Sequence, residues 1–582
     1  MRKIHEPPTD TVILNSALVR KKINSSNNVA KQSSILALGT LVSRISGQFR
    51  SIALVAALGA TGIAANAFDI ANNIPNTMLV IISGGILNSI LVPQIIKSKQ
   101  FKNSQDRLNK LLTLFGIIIL TLTLLLTLTA PLIIRLFAGV NWTDQQINLA
   151  IILAYFCMPQ VFFYGLYTIL GQVAQAENRF ATFGWAPVAN NIISVIGFSI
   201  FIFYTYHIYK IDSINNLEQW NSPMILLLCL TATLGIAIQA ILMFIPLKKA
   251  HFKFKFSLGL KGIGLREISN ISFWSFMIVL LEEIVALVFI KIASDAPVAS
   301  GVTDTASIIG NAAYTQAVTI YIVPYSLVAV SVATALFTKM AKAAAENSHQ
   351  TIAKLLIKSI KTISVFMVFA WILIALEAPH IVEVLIPSAS YYSFEAISNL
   401  LIYFSFILIP ISNILLMKRV FFANSNAKKV FIYSIPYAVV ALILVTSFSL
   451  TTTPANWTIL IVISAALAYW IDLIFFTKGI KKELGLYFSY PSLLGFSIKI
   501  IIVSLPTILV GLLTKHILGW TYFTSWWTAV WQLFIIGGFM LITYVFMLKI
   551  MAVEQRSFYI QPMIITYKKA IIYLKKLRRI KK

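Results

Sequence analysis

The sequence predicts an all-α polytopic membrane protein of about 14 transmembrane helices, arranged as two pseudo-symmetric six-helix lobes plus a C-terminal helix pair. Three observations predict it. Of the 582 residues 58% are hydrophobic and 12% charged, and the mean hydropathy is +0.83, outside the balance of a soluble globular chain. Apolar windows of about 20 residues, the length a helix needs to cross roughly 30 Å of hydrocarbon, recur along the whole chain. Lysines and arginines gather in alternate loops and in both tails.

The windows lie at about 34–58, 66–96, 111–137, 147–175, 182–205, 224–247, 271–294, 308–338, 362–386, 396–423, 430–450, 457–477, 496–514 and 527–549. They are too long and too uniformly apolar for barrel strands. An even count puts both ends on one side. Basic residues mark that side: Arg20, Lys21 and Lys22 in one tail, Lys575, Arg578 and Lys582 in the other, and Lys248, Lys339, Lys428 and Lys481 in alternate loops. By the positive-inside bias both termini are cytoplasmic. The net charge of +27 then reflects topology and anionic membrane lipids as partners, with no basic domain for nucleic acid.

The expected organisation follows. Residues 1–33 are a cytoplasmic basic tail, 34–247 the N-lobe, 248–270 a cytoplasmic linker, 271–477 the C-lobe, 478–549 the added helix pair and 550–582 a basic amphipathic tail. Cys157 and Cys229 lie inside expected spans and the six histidines are scattered. No disulfide framework, metal-ligand spacing or cofactor motif follows from them. No soluble domain is inserted to hold a metal and a sugar substrate, which argues for a conduit rather than an enzyme.

Pro75 in IPNTMLVIISGG and Pro324 in IVPYSLVAVSVATA occupy similar places in spans 2 and 8, as expected of two repeated halves with interrupted helices around a midplane site. Proline removes a helical hydrogen bond, tolerable in a membrane where protein or a wet cavity resatisfies the freed group.

The stretch SRISGQFR places Arg44 and Arg50 inside span 1. A charge at a helix centre costs about 2.5–3.5 kcal/mol on insertion scales, so it faces a bundle interior or an aqueous cavity. Arginine's planar fork suits phosphate. Six positions apart, the two side chains diverge by about 120° on a regular helix, and Gly47 between them is the expected point of a bend that unites them. Snorkelling, or pairing with a carboxylate such as Asp69, is the alternative. Span 2 supplies a polar face with Asn66, Asp69, Asn73 and Asn76 at helical spacing, suited either to a hydroxyl-rich headgroup or to a helix–helix seam. Span 7 holds Glu282, Glu283 and Lys291; its acidic pair is the candidate coupling site for a monovalent cation or proton, or counter-ion to the arginines, and Lys291 can snorkel outward. Asp472 in span 12 reads as a lone carboxylate near the inner membrane surface.

The ordered runs SRISGQFRSIALVAALGA, IPNTMLVIISGGILNSILVPQI, MPQVFFYGLYTILGQVAQAENRFATFGWAPVANN, LGIAIQAILMFIP, PYSLVAVSVATALFTKMAKAAAE and KRVFFA resemble the MurJ (MviN) lipid II flippase family of the multidrug/oligosaccharidyl-lipid/polysaccharide exporter superfamily. The resemblance covers most of spans 1–12 and looks like an actinobacterial-type branch. It implies fourteen helices in two lobes around a cationic cavity, with lipid II, the undecaprenyl-diphosphate-linked peptidoglycan precursor, moved from inner to outer leaflet for cell wall biogenesis. Cell-wall synthesis proteins are implied partners. The family's paired arginines match Arg44 and Arg50. Its acidic residue falls on Asn66, with Asp69 one turn later, and two further family arginines fall on Leu79 and near Thr319, where they are missing; Lys291 or Arg419 would have to compensate. The competing readings are a drug or cation antiporter of the same superfamily, built around Glu282, Glu283 and Asp69, and a membrane enzyme of lipid-linked sugar chemistry.

Overall fold

The computed structural model describes residues 35–36, 38–82, 104–176, 181–249, 254–259, 270–519 and 525–553, all of them in helices or their connections, with no strand. Among the described residues eleven helices are long and apolar enough to cross a membrane, or twelve if a pair bent by 49° forms one span. The expected fourteen is not reached by this measure. The windows at 66–96 and 271–294 fall on α2 (Ile63–Ile82) and α10 (Asn270–Ala299), which are not in that set and which carry Asp69 with four asparagines and Glu282, Glu283 and Lys291. The expected 1–33 tail, all but the first four residues of the 550–582 tail and most of the 248–270 linker lie outside the described residues.

The helices sort into two compact units, the first drawn from residues 1–57, 71–133 and 151–268. It contains α1 (Leu38–Leu58), the second half of α2, α3 (Ser104–Leu128), the first half of α4 (Ala130–Phe137), the second half of α5 (Asp144–Cys157), α6 (Gln160–Ala176), α7 (Ala181–Ile202), α8 (Ser222–Ile241) and α9 (Phe244–Lys249). Leu111 and Phe115 of α3 pack with Val173 of α6 and Leu247 of α9. Lipid tails are as apolar as leucine, so close backbone approach and polar seams carry much of helix association in a membrane. Such a seam joins α7 to α8, where Gly197 lies against Thr231 and Asn190 donates to Gln239 Oε1 at 3.1 Å. Asn191 Nδ2 ties α1 to α7 by donating to the Ser43 carbonyl and Ser46 Oγ, both at 2.9 Å.

The second unit comprises residues 58–70, 134–150 and 269 onward. Here α11 (Asn311–Pro324) runs into a π-helical turn, Tyr325–Ala329, and then α12 (Val330–Ala345). The long α13 (His349–Leu385) precedes α14 (Tyr391–Ser405) and α15 (Leu408–Ala423), the bent pair. Phe406 lies at that bend, and its carbonyl accepts from the Trp470 indole at 3.2 Å, which resatisfies a group a broken helix would leave bare. Then follow α16 (Ala427–Thr451), α17 (Trp457–Leu484), α18 (Tyr490–Ile517) and α19 (Trp526–Ile550). Val365 and Phe369 of α13 pack with Val503 of α18 and Met540 and Tyr544 of α19, and the Tyr544 hydroxyl donates to the Val365 carbonyl at 2.7 Å.

The expected helix breaks separate into two kinds. α1 continues through Gly47 and α2 through Pro75, so neither residue interrupts its helix. Gly47 instead faces Asn191. Pro324 does mark a change, standing immediately before the π turn Tyr325–Ala329.

Candidate functional site

Within the first unit, Arg44 is exposed and Arg50 half-buried on the unbroken α1. Their six-residue spacing therefore keeps the divergence of a regular helix, and the expected Gly47 bend does not unite them. Arg50 lies within electrostatic reach of Tyr164 on α6 and forms no hydrogen bond or ion pair among the described residues. Asn73 is half-buried and Asn76 exposed, while Asn72 accepts from Gln160 Nε2 at 3.3 Å.

Within the second unit, Asn66 is fully buried and committed to α11. Its Oδ1 accepts the Ala312 N–H at 3.1 Å and its carbonyl accepts from Asn311 Nδ2 at 3.2 Å. Gly310, the N-cap of α11, has no capping side chain of its own, so Asn66 satisfies an open helix-end donor from outside. Asn66, expected as a substrate ligand, is here bonded to the start of α11. One turn later Asp69 Oδ2 accepts from Asn311 Nδ2 at 2.9 Å and from Thr315 Oγ1 at 3.0 Å. Span 2 thus uses the start of its polar face as a helix–helix seam, the second of the two roles its sequence allowed.

Segment 134–150 enters the same unit. Asn141 donates to Asp295 through its backbone N–H at 2.8 Å and its side-chain amide at 2.9 Å, and the Trp142 indole donates to the Ser294 carbonyl at 2.7 Å. Gly139 allows this approach, since a Cβ there would lie 2.4 Å from Asp295 Oδ1. In segment 58–70, the Ala60 N–H donates to Ser393 Oγ at 3.0 Å. None of these contacts was anticipated from sequence, where 138–146 is only a short loop.

The acidic pair of α10 splits. Glu282 Oε1 is 2.8 Å from Lys418 Nζ of α15, so its counter-ion is a lysine within the same unit. Glu283 has no hydrogen bond or ion pair among the described residues, and Lys291 is half-buried. Asp472 of α17 is 2% exposed and within electrostatic reach of both Lys418 and Glu282, so it belongs to this group and is not the lone surface carboxylate expected. Tyr325 of the π turn also lies near Lys418, Glu282 and Arg419, and the Arg419 guanidinium sits 5.6 Å from the Phe337 ring centroid. Lys418 was the missed member; the KRVFFA run inside an apolar span was its signal. Leu79, where the resemblance misses an arginine, is buried, and Thr319 is exposed. No group of three or more metal-ligating side chains occurs among the described residues.

A family model described as "Lipid II flippase MurJ" matches residues 54–536. Proteins described as probable lipid II flippase MurJ are similar over part of the chain. The one from Buchnera aphidicola subsp. Baizongia pistaciae is 28% identical over 179 residues, 30% of this chain and 34% of that protein. The one from Rickettsia prowazekii is 26% identical over 172 residues, 29% and 33%. The match thus spans about a third of these curated relatives' length. Among solved structures, "Lipid II flippase MurJ, inward closed conformation" superposes with a TM-score of 0.65 at 21% identity, covering 91% of this chain and 99% of that one. An inward-facing multidrug resistance MATE family transporter of the MOP superfamily gives 0.58 at 16%, covering 78% and 98%. Both likenesses are of fold.

Proposed function

The chain belongs to the lipid II flippase MurJ family, and from that premise we propose that it carries lipid II, a polyprenyl-diphosphate-linked peptidoglycan precursor, from the inner to the outer leaflet of a bacterial cytoplasmic membrane. The observation that carries the reading is Arg50, a half-buried guanidinium in a spanning helix with no anion beside it among the described residues. A permanent charge held there is costly unless something else neutralises it, and a diphosphate matches the guanidinium fork. Arg44 extends the cationic surface on the same helix, and Asn73 and Asn76 offer amides to the headgroup.

Transport proceeds by alternating access of two six-helix halves, with both termini cytoplasmic. Moving two negative charges outward through about 100 mV is favourable by roughly 5 kcal/mol when the carrier leaves them unneutralised. A coupling proton or monovalent cation would act at Glu283, which has no hydrogen bond or ion pair among the described residues. The antiporter reading needs a carboxylate-centred cavity, and the Glu282–Lys418 pair weighs against it.

The test replaces Arg50, and separately Arg44, with alanine and follows exposure of the lipid-linked precursor on the outer leaflet while checking insertion by protein level. Loss of translocation by an inserted Arg50→Ala supports the reading. Normal translocation in both variants removes it.

A further inference from the structure

Within the second unit, a groove of about 790 Å³ runs between α13, the bent pair α14–α15, α17 and α18. Val368, Met417 and Ile500 form its buried floor, and Trp470, Ile501 and Leu505 are exposed along its rim. The volume is in the range of small-molecule sites, yet the lining is apolar and the rim lies on the face of a spanning bundle, where hydrocarbon is the solvent.

One end of the groove is cationic. Lys361 Nζ donates to Ser492 Oγ at 2.8 Å and sits 5.9 Å from the ring centroid of Phe496, a lining residue. Lys481 Nζ donates to the Phe488 carbonyl at 3.1 Å and sits 5.9 Å from the ring of Tyr490, also lining. Tyr490 and Ser492 belong to the first turn of α18, so both ammoniums stand at the same mouth. Neither forms an ion pair among the described residues, and each ammonium has three donors, of which one is used here. Along α13 the lining extends from Ile360 beside this mouth to Trp371, a rise of about 16 Å on an α-helix. That is close to half of a roughly 30 Å hydrocarbon core.

We propose that this groove is a binding site for an anionic glycerophospholipid, with one acyl chain along the apolar floor and the phosphate at Lys361 and Lys481. A basic mouth on a pocket between spanning helices attracts acidic headgroups, and a depth of one leaflet suits an acyl chain better than a long polyprenyl chain. The proposal stands apart from the transported substrate. The orientation proposed above enters only in naming the cytoplasmic leaflet as the lipid's source.

The experiment titrates the purified full chain in detergent with phosphatidylglycerol, phosphatidylcholine of the same acyl chains, or undecaprenyl phosphate, and reads bound lipid by native mass spectrometry. Phosphatidylglycerol should be retained about tenfold over phosphatidylcholine, the scale expected of two lysines near a headgroup. The double variant Lys361→Gln, Lys481→Gln should lose that preference. Ser497→Trp, which fills the groove from its exposed lip without touching the core, should reduce binding of both phospholipids at an unchanged melting temperature. Equal retention of the two phospholipids by the wild type, unchanged retention in both variants, or preferential occupancy by undecaprenyl phosphate would overturn it. Failure of any kind leaves the Arg50 transport test unaffected, because no translocation is measured.

Discussion

Lys418 of α15 and Glu282 of α10 meet at 2.8 Å between Nζ and Oε1, and the buried carboxylate of Asp472 lies within electrostatic reach of the same ammonium. One lysine therefore serves two acids, of which Asp472 is buried. Lys418→Met should destabilise the protein more than the conservative loss of charge at Glu282, because it strands both carboxylates. Glu282 remains about half exposed, which reduces the penalty, so we expect about 1–3 kcal/mol for Lys418→Met. Adding Glu282→Gln should recover part of it. Thermal unfolding in detergent measures both, and an additive double variant would mean that the pair contributes no coupling.

Asp295 holds Asn141 through two hydrogen bonds, and Gly139 leaves room for it. Asp295→Ala should loosen segment 134–150 from α10. In a Ser294→Cys background, where the introduced thiol replaces a fully buried side chain that donates to the Phe137 carbonyl, labelling by a membrane-impermeant maleimide should quicken severalfold. Cys157 and Cys229 are both buried, so background labelling should be low. Unchanged labelling would show that Asp295 is not what holds segment 134–150 against α10.

Span positions were legible in the sequence because hydrocarbon selects length and apolarity, and within the described residues the expected windows fall on helices or on successive helices. Polar side chains inside those spans were also legible, since so few occur. Their partners were not. Asn66 and Asp69 follow a helical stripe whether that stripe meets a ligand or another helix, and only the approach of Gly310, 244 positions later in the chain, decides for the helix. Asp472 read as solitary because Lys418 lies 54 positions before it, on another span. Glu377 and His380 were one turn apart in plain view, yet with Lys515 and Gln532 on distant helices nothing in the sequence joined them.

His380 is fully buried, with Nδ1 2.7 Å from Glu377 Oε2 and Nε2 2.7 Å from Gln532 Oε1. Lys515 Nζ donates to the Leu376 carbonyl at 2.6 Å and lies 3.8 Å from Glu377 Oε1. This polar knot fastens α13 to α18 and α19. Glu377→Leu would leave a buried imidazole and ammonium without their acid, and we expect a loss of about 3–5 kcal/mol, the usual scale for breaking a buried pair from one side. His380→Gln, which keeps one donor and one acceptor, should cost less. Melting temperatures of the two variants in the same detergent decide it, and an equal loss would argue that packing volume, not pairing, is what the site requires.

Asn66 and Gly310 should behave as one unit in a double-mutant cycle. Gly310 has φ −111°, a backbone conformation open to any residue, so only lack of space excludes a side chain. A Cβ there would lie 2.4 Å from Asn66 Nδ2. Gly310→Ala alone should therefore cost about 1–3 kcal/mol through overpacking. Asn66→Ala alone should cost about 1 kcal/mol, because the Ala312 N–H loses its acceptor. In the double variant the alanine at 66 vacates the space the alanine at 310 needs, so the combined loss should fall short of the sum by about 1 kcal/mol. Two further outcomes discriminate roles. Strict additivity would mean that the two residues do not press on one another. A large transport defect in Asn66→Ala at unchanged stability would instead return Asn66 to the substrate face and refute its assignment as a helix cap.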